Sequence, residues 1–236
     1  MVNNKASLLL EGLFPNHCCL CGWRCAGNLP LCEPCRNEMP LNESACDRCA
    51  LPLASPAARL CGACLRRPPP FDRVIAPWLY GEYLAHILQR WKFHRDTRLT
   101  RLLADMWQQQ VSEVAPVDAA VPVPMHWWRQ WRRGYNQAEL LALALRRHRP
   151  QLTIASRLLC RHRHTRAQSG MTARARSRNL RGAFTAGNAC ANLRLAVIDD
   201  VLTTGATAQE VAQTLKDAGA TYVEIWCLAR TPPPGD

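Results

Sequence analysis

Lysine is nearly missing from this chain: 236 residues hold three lysines against twenty-seven arginines. GC-rich coding is the plain explanation for that exchange. It does not account for a second scarcity, of acids. From His126 to Arg181, Glu139 stands alone against fourteen arginines. The net charge is +12, and so one-sided a segment favours phosphate-bearing partners. Long apolar runs are missing too, so no stretch reaches the ~18 residues of a membrane span. Residues 6–14 (ASLLLEGLF) are too short, contain Glu11 and lack a small-residue cleavage site. They are expected to form an amphipathic helix packed on the protein, not a signal peptide. Neither G-x-x-x-x-G-K-[ST] nor G-x-G-x-x-G occurs, which argues against P-loop and dinucleotide-binding sites.

Cysteine, by contrast, is plentiful, with thirteen in all. Eight of them fall into C-x-x-C pairs: Cys18/Cys21, Cys32/Cys35, Cys46/Cys49 and Cys61/Cys64. A two-residue gap lets a tight turn aim both sulfurs at one ion, so the series suits tetrahedral zinc better than disulfides. Two structural four-cysteine sites are expected. Spans of ten residues (22–31) and eleven (50–60) within each set favour sequential pairing; a cross-braced arrangement, first pair with third, is the alternative. Zinc would supply folding energy that so small a module lacks. Cys19 and Cys25 are expected to be spectators, and Cys160, Cys190 and Cys227 ordinary core residues. With no export signal, the thiols place the chain in the reducing cytoplasm.

Arg66-Arg67-Pro68-Pro69-Pro70 reads as a stiff connector. It divides the chain into a Cys-rich module, 1–68, and an α/β domain, 69–236. Strands are expected at 73–80 (bent or at an edge because of Pro77), 119–123, 152–154, 193–198 and 221–229. Helices are expected at 82–91, 99–111, 138–147 and 206–218. Arg161–Arg181 has no period and reads as a basic loop with some helix. Leu193–Ile198 is largely apolar, as in a parallel strand covered on both faces. With the helix and strand that follow, it makes a right-handed βαβ unit.

That unit carries the most informative stretch, LAVIDDVLTTGATAQE, Leu195–Glu210. An apolar strand ends on Asp199 and Asp200, then Thr203, Thr204, Gly205, Ala206 and Thr207 lead into a helix. Ligands bind at this point of open α/β sheets. The helix start offers free N–H groups to an anion, threonines add hydroxyls, and ionised carboxylates accept hydrogen bonds from sugar hydroxyls or hold a metal. A ribose 5-phosphate makes sense of both halves. The plainer alternative is that Asp199 only caps the helix.

VIDDVLTTGAT resembles the phosphoribosyl-pyrophosphate (PRPP) signature of type I phosphoribosyltransferases. The resemblance implies that Asp199 and Asp200 meet the ribose hydroxyls and that Thr203–Thr207 hold the 5-phosphate. VPVPMH at 121–126, RRGYNQAELLA at 132–142, Thr165 with Gln168, and RNLRGAF at 178–184 are in turn similar to the ComF family, which also begins with paired-Cys zinc motifs. This likeness covers nearly the whole chain. It implies a type I phosphoribosyltransferase-like parallel sheet with flanking helices and a small N-terminal zinc-ribbon domain. It also implies a role in competence or DNA utilisation, with a DNA-uptake helicase or translocase as a partner.

His126-Trp127-Trp128-Arg129-Gln130-Trp131-Arg132-Arg133 interleaves aromatics with charge. Trp127, Trp128 and Trp131 suit stacking on unpaired bases, and Arg129, Arg132 and Arg133 suit phosphates. Packing of one or two of these tryptophans in the core is the alternative. Because VPVP lies where type I phosphoribosyltransferases have their pyrophosphate loop, the resemblance implies instead that the same arginines hold the pyrophosphate of PRPP, with Arg161, Arg163, Arg166, Arg174 and Arg176 on a loop closing over it. Two functions follow. One is an accessory protein that binds single-stranded DNA and carries a PRPP or nucleotide site. The other is an active transferase that uses PRPP with Mg2+, displacing pyrophosphate with a nitrogen acceptor.

Overall fold

The structure is a computed structural model that describes residues 16–25, 29–94, 96–111, 113–163 and 178–233. The expected helix at 6–14, together with Thr165, Arg166, Gln168, Arg174 and Arg176, lies outside the described residues, as does the side chain of Arg129.

Two short helices, α1 (Glu33–Asn37) and α2 (Gly62–Arg66), belong to the Cys-rich region. Then come β1 (Arg73–Ile75), β2 (Trp78–Leu79), α3 (Glu82–Phe93), α4 (Arg98–Gln110), β3 (Ala119–Pro122), α5 (Trp127–Arg133) and α6 (Gln137–Leu145). β4 (Thr153–Ile154), β5 (Leu159–Arg161), β6 (Phe184–Ala186), β7 (Arg194–Ile198), β8 (Val201–Leu202), α7 (Ala206–Asp217), β9 (Tyr222–Trp226) and β10 (Ala229–Arg230) complete the order.

The central sheet has five strands in the order β1-β9-β7-β3-β4, all parallel. Alternate residues of β7 enter different cores. Ala196 and Ile198 pack with Leu84, Leu88, Leu102 and Leu141 of α3, α4 and α6. Leu195 and Val197 pack with Val211, Ala212 and Leu215 of α7 on the other side. Both faces are therefore covered, and for that reason Leu195–Ile198 reads as an unbroken apolar run.

Sequence expected one strand at 73–80 and one at 221–229. Each is instead two, broken by a two-residue offset, and β7 breaks in the same way. β1, β9 and β7 resume as β2, β10 and β8, a second parallel sheet in the matching order β2-β10-β8. Main-chain bonds cross the break: Asp199 N–H donates to the Trp226 carbonyl at 3.0 Å, and Leu228 N–H to the Asp200 carbonyl at 2.9 Å. The two aspartates sit in this offset, between β7 and β8.

β5 and β6 pair antiparallel as a small separate ribbon. Cys160, expected in the core, is exposed there while Leu159 is buried, because neighbours on a two-stranded ribbon face opposite sides. Cys190 and Cys227 are buried as expected, and so are Cys19 and Cys25.

Candidate functional site

The Cys-rich region is built twice over. In the first copy, Cys18 N–H donates to the Trp23 carbonyl and Gly22 N–H to the Cys18 carbonyl; in the second, Cys46 N–H donates to Leu51 and Ala50 N–H to Cys46. Bridges His17↔Arg24 and Ala45↔Pro52 close the two turns. The second pair of each copy sits on a helix start, with Cys32 capping α1 and Cys61 capping α2.

Cys18, Cys21, Cys32 and Cys35 form one cluster and Cys46, Cys49, Cys61 and Cys64 the other, with the four sulfurs of each cluster within 4.8 Å of one another. This is the sequential pairing. The Cys21–Cys32 and Cys49–Cys61 sulfur pairs are each 3.7 Å apart. A tetrahedron with zinc–sulfur bonds of about 2.3 Å has edges of about 3.8 Å, so the clusters fit zinc. Burial alone would raise the Cys46 thiol. Backbone N–H groups, with Cys61 N–H donating to the Cys46 sulfur at 3.3 Å, bring it down to about 7, whereas burial pushes Cys49 up to about 11, so zinc entering this cluster displaces protons from thiols. Four sulfurs close each shell, so a metal held there is structural.

The second site is a cleft of about 480 Å3 at the carboxyl ends of β7 and β3, within the range of small-molecule pockets. Asp199 and Asp200 form part of its wall, and Thr203, Thr204, Gly205, Ala206 and Thr207 run along it. Gly205 is the N-cap of α7, with φ 77° and ψ 1°. This left-handed turn aims the first N–H groups of α7 at the cleft, and the Thr204 hydroxyl accepts from Ala206 N–H at 3.4 Å. The helix-cap alternative for Asp199 fails here: the N-cap position of α7 is Gly205, and the Asp199 carboxylate accepts from Asp200 N–H at 2.8 Å instead. A Cβ at Gly205 meets only the Gln209 amide, at 3.7 Å. Gly205→Ala is therefore expected to cost about 1–2 kcal/mol from backbone strain alone, measurable by urea denaturation.

The electrostatics are divided. The Asp200 carboxylate accepts from Val201 N–H at 2.6 Å and pairs with Lys92 at the end of α3. Asp199 is pushed up to about 7, by burial first and by the Asp200 charge second. Lys92, Arg133 and Arg161 bring positive charge to the same cleft. Lys92 had no local signal in sequence; its rarity as one of three lysines was the only hint.

These features agree with comparison to known proteins. Residues 9–65 match the double zinc ribbon domain family. DNA utilization protein YhgH of Salmonella typhimurium is 35% identical over 224 residues, covering 92% of this chain and 98% of that one. Competence protein F of Haemophilus influenzae is 34% identical over 220 residues, covering 87% and 95%. The chain belongs to this family of DNA-utilization and competence proteins. Among solved structures, glutamine PRPP amidotransferase from B. subtilis aligns with 56% of the chain and 25% of its own length, with 17% identity and a TM-score of 0.36.

In this member of the YhgH and competence protein F family, the segment after β3 is a helix, α5. His126 caps it by accepting from Trp128 N–H at 3.3 Å, and Gly134, at φ 92°, ends it in the left-handed conformation. The tryptophans do not fill the core: Trp127 is 69% and Trp131 79% exposed, with Trp128 exposed less. The Arg132 guanidinium lies 5.8 Å from the Trp128 ring centre. Arg133 turns the other way, 5.2 Å from the Phe93 ring centre, and donates to the Gln137 amide oxygen at 2.8 Å. Of the predicted pyrophosphate or nucleic-acid contacts among the described residues, Arg133 reaches the cleft together with Arg161. Arg132 and the tryptophans lie outside it, and Arg163 is exposed, donating to the Arg181 carbonyl at 3.1 Å. No helix among the described residues is long and apolar enough to cross a membrane.

Proposed function

We propose that this chain is a cytoplasmic accessory of DNA utilisation or competence. In this reading it binds a ribose 5-phosphate-bearing ligand, PRPP or a nucleotide, at Asp199–Thr207, and single-stranded DNA on its basic, aromatic face. The observation that carries the proposal is the meeting, in one open cleft, of two carboxylates and the left-handed start of α7. Phosphate sits at the helix N–H groups and the Thr203, Thr204 and Thr207 hydroxyls; sugar hydroxyls donate to Asp199 and Asp200. The division at residues 68/69 then separates a zinc module from a ligand-binding domain. The partner class in this reading is a helicase or translocase of DNA uptake.

For DNA, the exposed tryptophans of α5 provide stacking planes and Arg132 a cation beside them. Binding of a fluorescent oligonucleotide is expected to weaken steeply with salt, each phosphate contact adding about −0.7 to the log–log slope. Trp127→Ala with Trp131→Ala should weaken binding by about 1–3 kcal/mol per stacked base, with no change in melting temperature. A salt-independent affinity would remove the case built on charge.

One observation favours the transferase reading: Lys92, Arg133 and Arg161 converge on the cleft, enough cationic charge to face a diphosphate. In this reading these three hold the leaving pyrophosphate while the aspartates orient the ribose, and Mg2+ would accompany PRPP as its counter-ion. Release of pyrophosphate from PRPP in the presence of purine, pyrimidine or ammonia acceptors tests it.

A further inference from the structure

Arg230, at the end of β10, is buried, and its guanidinium is held by main-chain oxygens. Nε donates to the Cys49 carbonyl at 3.2 Å; Nη1 donates to the carbonyls of Leu202 at 2.8 Å and Thr231 at 3.0 Å, and to that of Thr203. No carboxylate pairs with it among the described residues. A buried guanidinium is costly unless negative charge lies nearby. The nearby candidates are sulfurs. Cys49, Cys61 and Cys64 line a cleft of about 810 Å3 together with Arg230, and Leu202, Thr204 and Gly205 line the same cleft. Four thiolates around one zinc ion carry a net charge of about −2.

We propose that Arg230 is a positioning residue that couples the second four-cysteine site to the phosphate loop. On one side it is the counter-cation of the zinc–thiolate shell; on the other it fixes the Leu202 and Thr203 carbonyls, where the loop begins. Loss of zinc releases the turn that carries Cys49, and with it the Cys49 carbonyl that holds Arg230 Nε. The loop's entry then loosens. Among the described residues the first cluster lacks this link. Its neighbour Arg90 donates to the Cys19 carbonyl at 2.9 Å but is already neutralised by Asp96, 3.1 Å away. The functional consequence rests on the ribose-phosphate reading above; the structural coupling does not.

The test uses full-length, zinc-loaded Arg230→Gln and Arg230→Lys proteins. Zinc release is followed with a chromogenic chelator, alongside hydrogen exchange over the peptide containing Thr203–Thr207 and PRPP affinity by calorimetry. In Arg230→Gln one of the two zinc ions is expected to leave about ten-fold faster than in wild type, with faster loop exchange and weaker PRPP binding. Arg230→Lys keeps the charge, so zinc retention should stay near wild type while loop exchange remains fast, because an ammonium cannot span the same carbonyls. Wild-type zinc release and loop exchange in folded Arg230→Gln would overturn the coupling. If Arg230→Gln does not fold, wild-type loop exchange in Arg230→Lys would overturn it. If wild-type protein binds no PRPP, the ligand reading fails, while release and exchange still decide the coupling.

Discussion

Replacing both cleft aspartates, Asp199→Asn with Asp200→Asn, is expected to weaken PRPP binding at least about a hundred-fold. Each carboxylate that accepts from sugar hydroxyls contributes about 1.5–3 kcal/mol, and about 1.4 kcal/mol is a factor of ten. The single variant Asp199→Asn separates function from stability. Asp199 titrates near 7 in the folded protein because burial and the Asp200 charge oppose its ionisation. Between the ordinary carboxylate range and pH 7 the folded state therefore binds more protons than the unfolded one, and stability falls as pH rises through that window. Asparagine carries no such cost. Asp199→Asn should be more stable than wild type by about 1–3 kcal/mol at pH 8, with the gain fading toward pH 4. Urea denaturation at both pH values measures this. A gain that grows on acidification would show that the carboxylate is stabilising, not strained.

Stripping zinc is the second large effect. Atomic emission should find two zinc ions per chain. Structural zinc contributes about 10–16 kcal/mol of apparent binding energy in small modules, against a total stability of about 5–15 kcal/mol for a typical domain. The damage should spread beyond the ribbons. Cys18, Cys19, Cys25, Leu31 and Met39 of the first copy share a core with Trp78, Trp91 and Trp107, so losing that copy uncovers α3 and α4. Chelation is expected to lower the melting temperature steeply and to open residues near 16–65 to protease. An apo protein that melts like the holo protein would exclude a structural role for the metal.

How far sequence reached depended on how local each feature is. The run Leu195–Ile198 is apolar on every residue, and this announces a buried parallel strand. α7 shows its stripe of Ala208, Val211, Ala212 and Leu215, the residues found buried. The four-cysteine clusters follow from spacing because both ligands of a pair lie in one turn. The offset at Asp199-Asp200 was not legible, since a strand and its continuation look like one run; only the register of three neighbouring strands defines it. Helix α5 has aromatics and arginines on every side, so no apolar period marked it, and its limits depend on the His126 cap and Gly134. Lys92 and Arg230 reach the site from elements far away in the chain. A buried arginine held by carbonyls leaves no pattern in the residues around it.

In the function proposed above, the cleft beside α7 takes a phosphorylated pentose. Calorimetric titration of the zinc-loaded protein with PRPP, repeated in the presence of ribose 5-phosphate, tests it most directly. One saturable site per chain is expected, with competition by ribose 5-phosphate and none by ribose alone at the same concentration. Absence of binding, or equal competition by ribose and ribose 5-phosphate, would contradict it.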